Sequence, residues 1–116
     1  ISNDISYDEV FALQYRSLRH GGKNVVIVYS GSGNSHNLVK LCHAARDNGD
    51  YIIAFTGYAC KSGNYPNRIA AACADCAKCI TINLDLDEKS SYSMQVAEDV
   101  HSVYSHMLFR ACLGYI

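Results

Sequence analysis

Residues 25–57, VVIVYSGSGNSHNLVKLCHAARDNGDYIIAFTG, decide how this chain is read. Val25 to Tyr29 is an unbroken apolar run rich in β-branched residues, the composition of a buried strand. It runs directly into Ser30-Gly31-Ser32-Gly33-Asn34-Ser35. Leu38, Leu41, Cys42 and Ala45 then recur at helical spacing from about Ser35 to Asn48, with Gly49 where a left-handed C-cap is wanted. Tyr51 to Phe55 is a second apolar strand. A strand that ends in small hydroxyl and glycine residues and then opens a helix aims backbone N–H groups and the positive helix end at one point. Such a turn is a cradle for an anion, and phosphate is the natural one. Gly31 and Gly33 let the backbone approach closely, and the hydroxyls of Ser30, Ser32 and Ser35 can each add a hydrogen bond.

Outside this stretch the apolar period keeps switching between strand and helix values, which is the α/β signature. Ser6-x-x-Glu9 is a capping-box pattern, and Val10, Leu13 and Leu18, with Phe11 on the flank, predict a helix closing near Gly21-Gly22. Gly57 to Tyr65 reads as a loop, Asn64 and Pro66 open a short helix, and Ala70 to Cys73 end it. Cys79 to Leu84 reads as a third strand and Asp85 to Ser91 as a polar turn. The last helix is predicted over Ser93 to Cys112, with Ala97, Val100, Tyr104, Met107 and Ala111 toward the sheet. Alternating strands and helices predict a three-layer α/β/α fold on a doubly wound parallel sheet, where ligands collect beyond the carboxyl ends of the strands. Of the tyrosines, Tyr29 and Tyr92 fall nearest that edge.

Length and composition bound the function. The 116 residues, 49% apolar and 18% charged, predict one globular domain, residues 1–116, around one core. A net charge of -1 gives no electrostatic reason to expect nucleic acid or an anionic membrane as partner. No apolar run approaches the ~20 residues that span a bilayer. The opening Ile1-Ser2-Asn3-Asp4 has no initiating Met and no signal-peptide core, so it reads as an internal boundary and the chain as a fragment of a cytoplasmic protein. Its six cysteines then read as reduced thiols. Cys73, Cys76 and Cys79 form C-x-x-C-x-x-C, which fits iron–sulfur or zinc ligation with Cys60 as a fourth ligand, or else packing as small hydrophobes.

The polar side of the last helix is less ordinary. At about 100° per residue, Glu98, Ser102 and His106 fall within an ~80° sector, whereas His101 and His106 lie ~140° apart. Glu98 with His106 is therefore the pair to test. His20, His36 and His43 read as surface residues, with His36 beside the serine loop.

The residues 25–57 resemble the sugar isomerase (SIS) domain, most nearly its phosphoheptose isomerase branch, whose S-x-S-G-N-S loop binds the substrate phosphate; here the match is Ser30 to Ser35. The likeness extends to Asn3-Asp4 before the strand and to Ala74-Asp75 ahead of the third one, and so covers nearly the whole chain. The resemblance implies substrate contacts from Ser30, Gly31, Ser32, Asn34 and Ser35, and from Asp4, which on its own residues could equally cap the first helix. In the branch the last helix carries a Gln, a His three residues on and another His five further, the outer two binding zinc in metal-bound members. Here Glu98, His101 and His106 have that spacing, Glu98 standing where the branch has Gln. Glu98 and His106 would then be the metal ligands and zinc the cofactor, or His106 would itself carry protons, as an imidazole does near neutral pH. The branch's first half, with its own Gly-rich loop and the glutamate used as catalytic base, has no counterpart here. The implied activity is ketose–aldose isomerisation of a sugar phosphate such as sedoheptulose 7-phosphate, in a homo-oligomer, commonly a tetramer. The alternatives are a non-catalytic phosphosugar-sensing or assembly module, and a structural piece with a vestigial loop.

Overall fold

The computed structural model of the chain describes residues 7–59 and 64–114, so Asn3, Asp4, Ser6 and Cys60 lie outside the described residues. A 3-10 turn, Tyr7–Glu9, leads into α1 (Val10–Leu18), followed by β1 (Val25–Ser30), α2 (His36–Asp47), β2 (Tyr51–Tyr58), α3 (Arg68–Ala72), β3 (Cys79–Leu86) and α4 (Ser93–Cys112). The three strands form one parallel sheet in the order β1-β2-β3, an open α/β sheet as the alternation predicts. Val28 pairs with Ala54 and Ala54 with Thr81, which fixes which side chains share a face.

One face is the core. Val28, Ile52 and Ala54 from the sheet are buried against Ala12 and Tyr15 of α1, Leu41, Cys42, Ala44 and Ala45 of α2, and Ile69 and Ala72 of α3. The other face carries α4 over its C-terminal half, where Phe55 stacks between Tyr29 (ring centroids 5.0 Å) and Tyr104 (5.1 Å). Its N-terminal half is open: Val25, Ile27, Tyr51 and Ile80 share that side and are exposed, Val25 at 56% and Ile80 at 57%.

The punctuation of α2 is as expected. Gly49 takes φ +73, its N–H donates to Arg46 O (3.0 Å) and that of Asp50 to Ala45 O (3.0 Å), the paired bonds of a Schellman end. Other expectations need correction. Helix α1 buries Ala12 and Tyr15, with Phe11 against the core, while Leu13 is exposed and Leu18 is 80% exposed. The Tyr15 hydroxyl bonds to Asp50 and to Arg19, and this anchor turns the helix so that Leu18 faces out. The helix stops at Leu18, with Arg19 extended, short of Gly21. Strand β2 continues through Gly57 to Tyr58 and β3 through Asp85 to Leu86, so the loop and polar turn are shorter than predicted. On α4, Ser93, Ala97 and His101 are the buried positions, and Met107 and Ala111 are exposed. Ala97 is buried and Val100 and Tyr104 are half-buried as expected, but His101 replaces Val100 as the buried position and the stripe gives out before Met107, because α4 meets a sheet face narrowed to Tyr29, Phe55 and Gly57.

Candidate functional site

The loop 30–35 leaves the carboxyl end of β1 and is tied down from several sides. The Ser30 hydroxyl is buried and accepts the Gly33 N–H (2.9 Å), and the Ser32 hydroxyl accepts the Asn34 N–H (3.1 Å). Gly33 has φ +72, and a side chain there would meet Asn67 at 2.3 Å. Asn67 is itself buried. Its Oδ1 caps α3 by accepting Ala70 N–H (2.9 Å), and its Nδ2 donates to Tyr58 O and Asn83 Oδ1 (both 3.1 Å). Asn34 Oδ1 accepts the Arg68 N–H (2.9 Å), and Gly33 O accepts the Ile69 N–H (2.8 Å). The short helix α3 thus braces the loop from below.

Ser35 is the N-cap of α2, with extended backbone angles and no side-chain cap bond. Its hydroxyl therefore takes no part in capping the helix, and the first-turn N–H groups of α2 point the way a helix start aims at an anion. His36 sits exposed next to it, its Nε2 3.2 Å from the Arg68 guanidinium, which brings a cation to the rim. Ser32, Asn34 and Ser35 are half-buried and Ser30 is buried, so the hydroxyls are unequal: Ser30 shapes the loop from inside, and Ser32 and Ser35 stand nearer its surface.

Helix α4 lies immediately beside this loop. A Cβ on Gly31 would meet Met94 Sδ at 2.4 Å, and one on Gly57 would meet Gly31 O at 2.5 Å and Ala97 Cβ at 3.0 Å. These two glycines are what permits the approach. One turn on, His101 is buried with Nε2 3.3 Å from Thr56 O. A carbonyl only accepts, so the proton sits on Nε2 and Nδ1 is the acceptor. Burial holds the His101 imidazole below its ordinary titration range, outweighing the bond to Thr56 O, which acts the other way. A shallow cleft of about 220 Å³ opens here, lined by Tyr29, Glu98, His101, Ser102 and Ser105.

The predicted partners are thus sorted differently. Glu98 shares its cleft with His101 and not with His106, which is exposed further along α4 and absent from the lining. Eight residues of helix separate Glu98 from His106 by ~12 Å along the axis. Zinc takes three or four protein donors, and among the described residues no three His, Cys, Asp or Glu side chains are grouped to hold a metal. Glu98 and His106 alone do not make a zinc site, and neither do Cys73, Cys76 and Cys79. Tyr92, expected near the site, is 74% exposed at the start of α4. His101 is the residue whose importance periodicity understated; the signal was its place one turn after Ala97 on the inward stripe.

Another cleft, of about 480 Å³, lies at the opposite end of the sheet, between α1 and β1, with Arg19, His20, Lys23 and Asn24 on its wall. Arg19 is committed to Asp50 (Nε to Oδ2, 3.0 Å), and with Tyr15 and Asn24 it holds the Asp50 carboxyl down at about 2. That cluster is a structural clamp between α1 and the end of α2.

A parallel α/β sheet with a serine-rich loop at a strand's carboxyl end and a helix start behind it is the arrangement of an anion-binding α/β domain. Residues 1–57 match the SIS domain. It is 34% identical over 108 residues to the probable phosphoheptose isomerase of Thermoplasma acidophilum, covering 93% of this chain and 50% of that one. Over 58 residues it is 48% identical to the phosphoheptose isomerase of Colwellia psychrerythraea, covering 50% of this chain and 29% of the other. Over 58 residues it is also 45% identical to the DnaA initiator-associating protein DiaA of Shigella flexneri, covering 29% of that protein. The solved structure of phosphoheptose isomerase GmhA from Neisseria gonorrhoeae superposes with a TM-score of 0.63 at 30% identity, over 86% of this chain and 49% of that one. The chain therefore spans half or less of the length of these relatives. Among the described residues, no helix is long and apolar enough to cross a membrane.

Proposed function

We propose that this chain is the phosphate-holding half of a sugar-phosphate site, and that the intact protein isomerises a ketose phosphate of the sedoheptulose 7-phosphate type to its aldose. The observation that carries this reading is the loop 30–35: braced by α3, set at the start of α2, with the Ser35 hydroxyl not engaged as a cap. Ser32 and Ser35, with Gly31 and Asn34, hold the phosphate as a non-reacting handle whose binding energy positions the reacting carbons. Ser30 supports them from beneath. Isomerisation needs a proton removed beside a carbonyl and returned to the neighbouring carbon through an enediol. Glu98 and His101 line the adjoining cleft; His106, the proton carrier expected from imidazole chemistry, stands outside that lining, and Asp4 would orient sugar hydroxyls. The base-bearing first half of the fold is supplied from outside these residues.

The same reading makes residues 1–116 one domain of a cytoplasmic homo-oligomer, tetrameric as the resemblance implies. The exposed apolar side of the sheet and the exposed Val96, Val103 and Met107 on α4 support association. A second reading, a non-catalytic sensing or assembly module, draws on the comparable identity to DiaA over the same length of chain. Both readings require phosphate binding. Calorimetric titration of the 116-residue chain with sedoheptulose 7-phosphate, and with inorganic phosphate, tests it. Saturable binding lost in Ser32→Ala and Ser35→Ala is the expected result. A folded sample, verified by circular dichroism, that binds neither ligand overturns it.

A further inference from the structure

Four cysteines converge where α2, α3 and the start of β3 meet, at the end of the sheet away from the serine loop. Cys42 lies on α2, Cys73 ends α3, and Cys76 and Cys79 flank the turn into β3. Their thiols lie close enough to act on one another in series, Cys42 on Cys73, Cys73 on Cys79, and Cys79 on Cys76. Cys42 and Cys73 are buried, and Cys76 and Cys79 are partly exposed, so the series runs from the core to the surface.

The outer pair has the geometry of a dithiol. The Cys79 N–H donates to Cys76 O (3.2 Å), closing a four-residue turn. Such a turn keeps its end Cα atoms within ~7 Å, which overlaps the ~4.4–6.8 Å that a disulfide spans. Arg46 reaches across from α2 and donates to Ala72 O (3.0 Å) and Asp75 O (3.4 Å), placing a guanidinium beside the same turn. The two thiols are also made unequal. The Cys79 S–H bond, the Lys78 backbone N–H and the Arg46 charge hold the Cys76 thiol below the ordinary value, while burial first and Cys76 second push Cys79 up to about 12. Cys73 is drawn down to about 7 by its bond from Cys42 but is buried, out of reach of a bulky reagent.

We propose that Cys76 and Cys79 form a reversible dithiol–disulfide site that exchanges with small-molecule disulfides, Cys76 attacking and Cys79 resolving. The Cys76 thiolate attacks one sulfur of the small disulfide, forming a mixed disulfide and expelling one thiolate. Cys79 then loses its proton to solvent and attacks Cys76 Sγ, expelling the second thiolate, which takes up a proton. Two protein thiols and one small disulfide become one protein disulfide and two small thiols; two electrons pass from the cysteine pair to the reagent.

The test incubates the full chain with glutathione disulfide, blocks remaining thiols with N-ethylmaleimide and maps the peptides by mass spectrometry. A Cys76–Cys79 disulfide, reversed by reduced glutathione, is expected; Cys79→Ser should trap a glutathione adduct at Cys76, and Cys76→Ser should leave Cys79 unmodified. Alkylation at neutral pH should be several-fold faster at Cys76 than at the exposed Cys112. Adducts spread evenly over Cys76 and Cys112 without an internal disulfide would overturn the proposal, as would a link involving Cys42 or Cys73. Protection of all four thiols that a chelator removes would overturn it in favour of a metal site. The wild-type map decides even if a variant fails to fold.

Discussion

The two faces of the sheet are built to different standards. Under α1, α2 and α3 the side chains are small or branched and closed off: Ile52, Ile69, Ala54 and Cys42 have essentially no exposure. Under α4 the face is aromatic and polar at one end, with Tyr29, Phe55, Tyr104 and His101 in contact, and bare at the other. The difference teaches which part of the domain carries its own stability and which part is shaped for contact. Close packing excludes water without serving chemistry. A face holding a buried imidazole, a cleft and exposed isoleucines leaves apolar surface open to contact.

That contrast is open to attack by substitution. The largest effect is expected on the closed face: Ile52→Ala should cost about 2–5 kcal/mol in urea unfolding. Next, Gly57→Ala, whose methyl would strike Gly31 O and Ala97, should cost about 1–3 kcal/mol and also weaken phosphate binding. Smaller still is the effect of pH on the α4 side. The folded His101 imidazole titrates below its unfolded value, so its contribution is present above ~6.5 and is lost as pH falls through the lower folded value. His101→Gln should flatten stability over that range in denaturation followed at several pH values. Asp50 gives the corresponding acid signature for the closed face. Its carboxyl is depressed to about 2, so its contribution holds above ~3.9 and disappears as pH drops toward 2; Asp50→Asn should remove that dependence. The smallest change is expected for Ile27→Ser and Ile80→Ser, within about 0.5 kcal/mol for a dilute monomer but with weaker association in sedimentation. A loss of several kcal/mol in the dilute monomer would show that the bare face is not bare, and the comparison would fail.

Much of this was legible beforehand, for identifiable reasons. Helix α2 declared itself through its inward stripe and Gly49, and α4 was bounded correctly by Ser93 and Cys112 because its periodicity is long. The serine loop was readable because glycine and hydroxyl residues cluster between a strand and a helix. What misled was local chemistry answering a tertiary demand. Gly57 looks like a strand breaker, yet it lies within β2 because Gly31 O and Ala97 need the space of a side chain. Leu13 and Leu18 look inward by composition, but Tyr15 is pinned through its hydroxyl to Asp50, and that bond selects the buried face. The bracing of Gly33 by Asn67 and of Asn34 by Arg68 joins residues 34 apart in the chain, a pairing that periodicity does not encode.

The contact of Gly31 and Gly57 with α4 has one more consequence. At Gly57 the backbone, Gly31 O and the Ala97 methyl meet without a rotatable side chain between them, so the offset between the serine loop and the Glu98–His101 cleft is a rigid dimension, like the gap of a caliper. A molecule gripped at one jaw and worked on at the other is measured by length. On the proposed function, adding one methyl at Gly57 resets the instrument, and the chain length of the sugar phosphate bound best should shift with it.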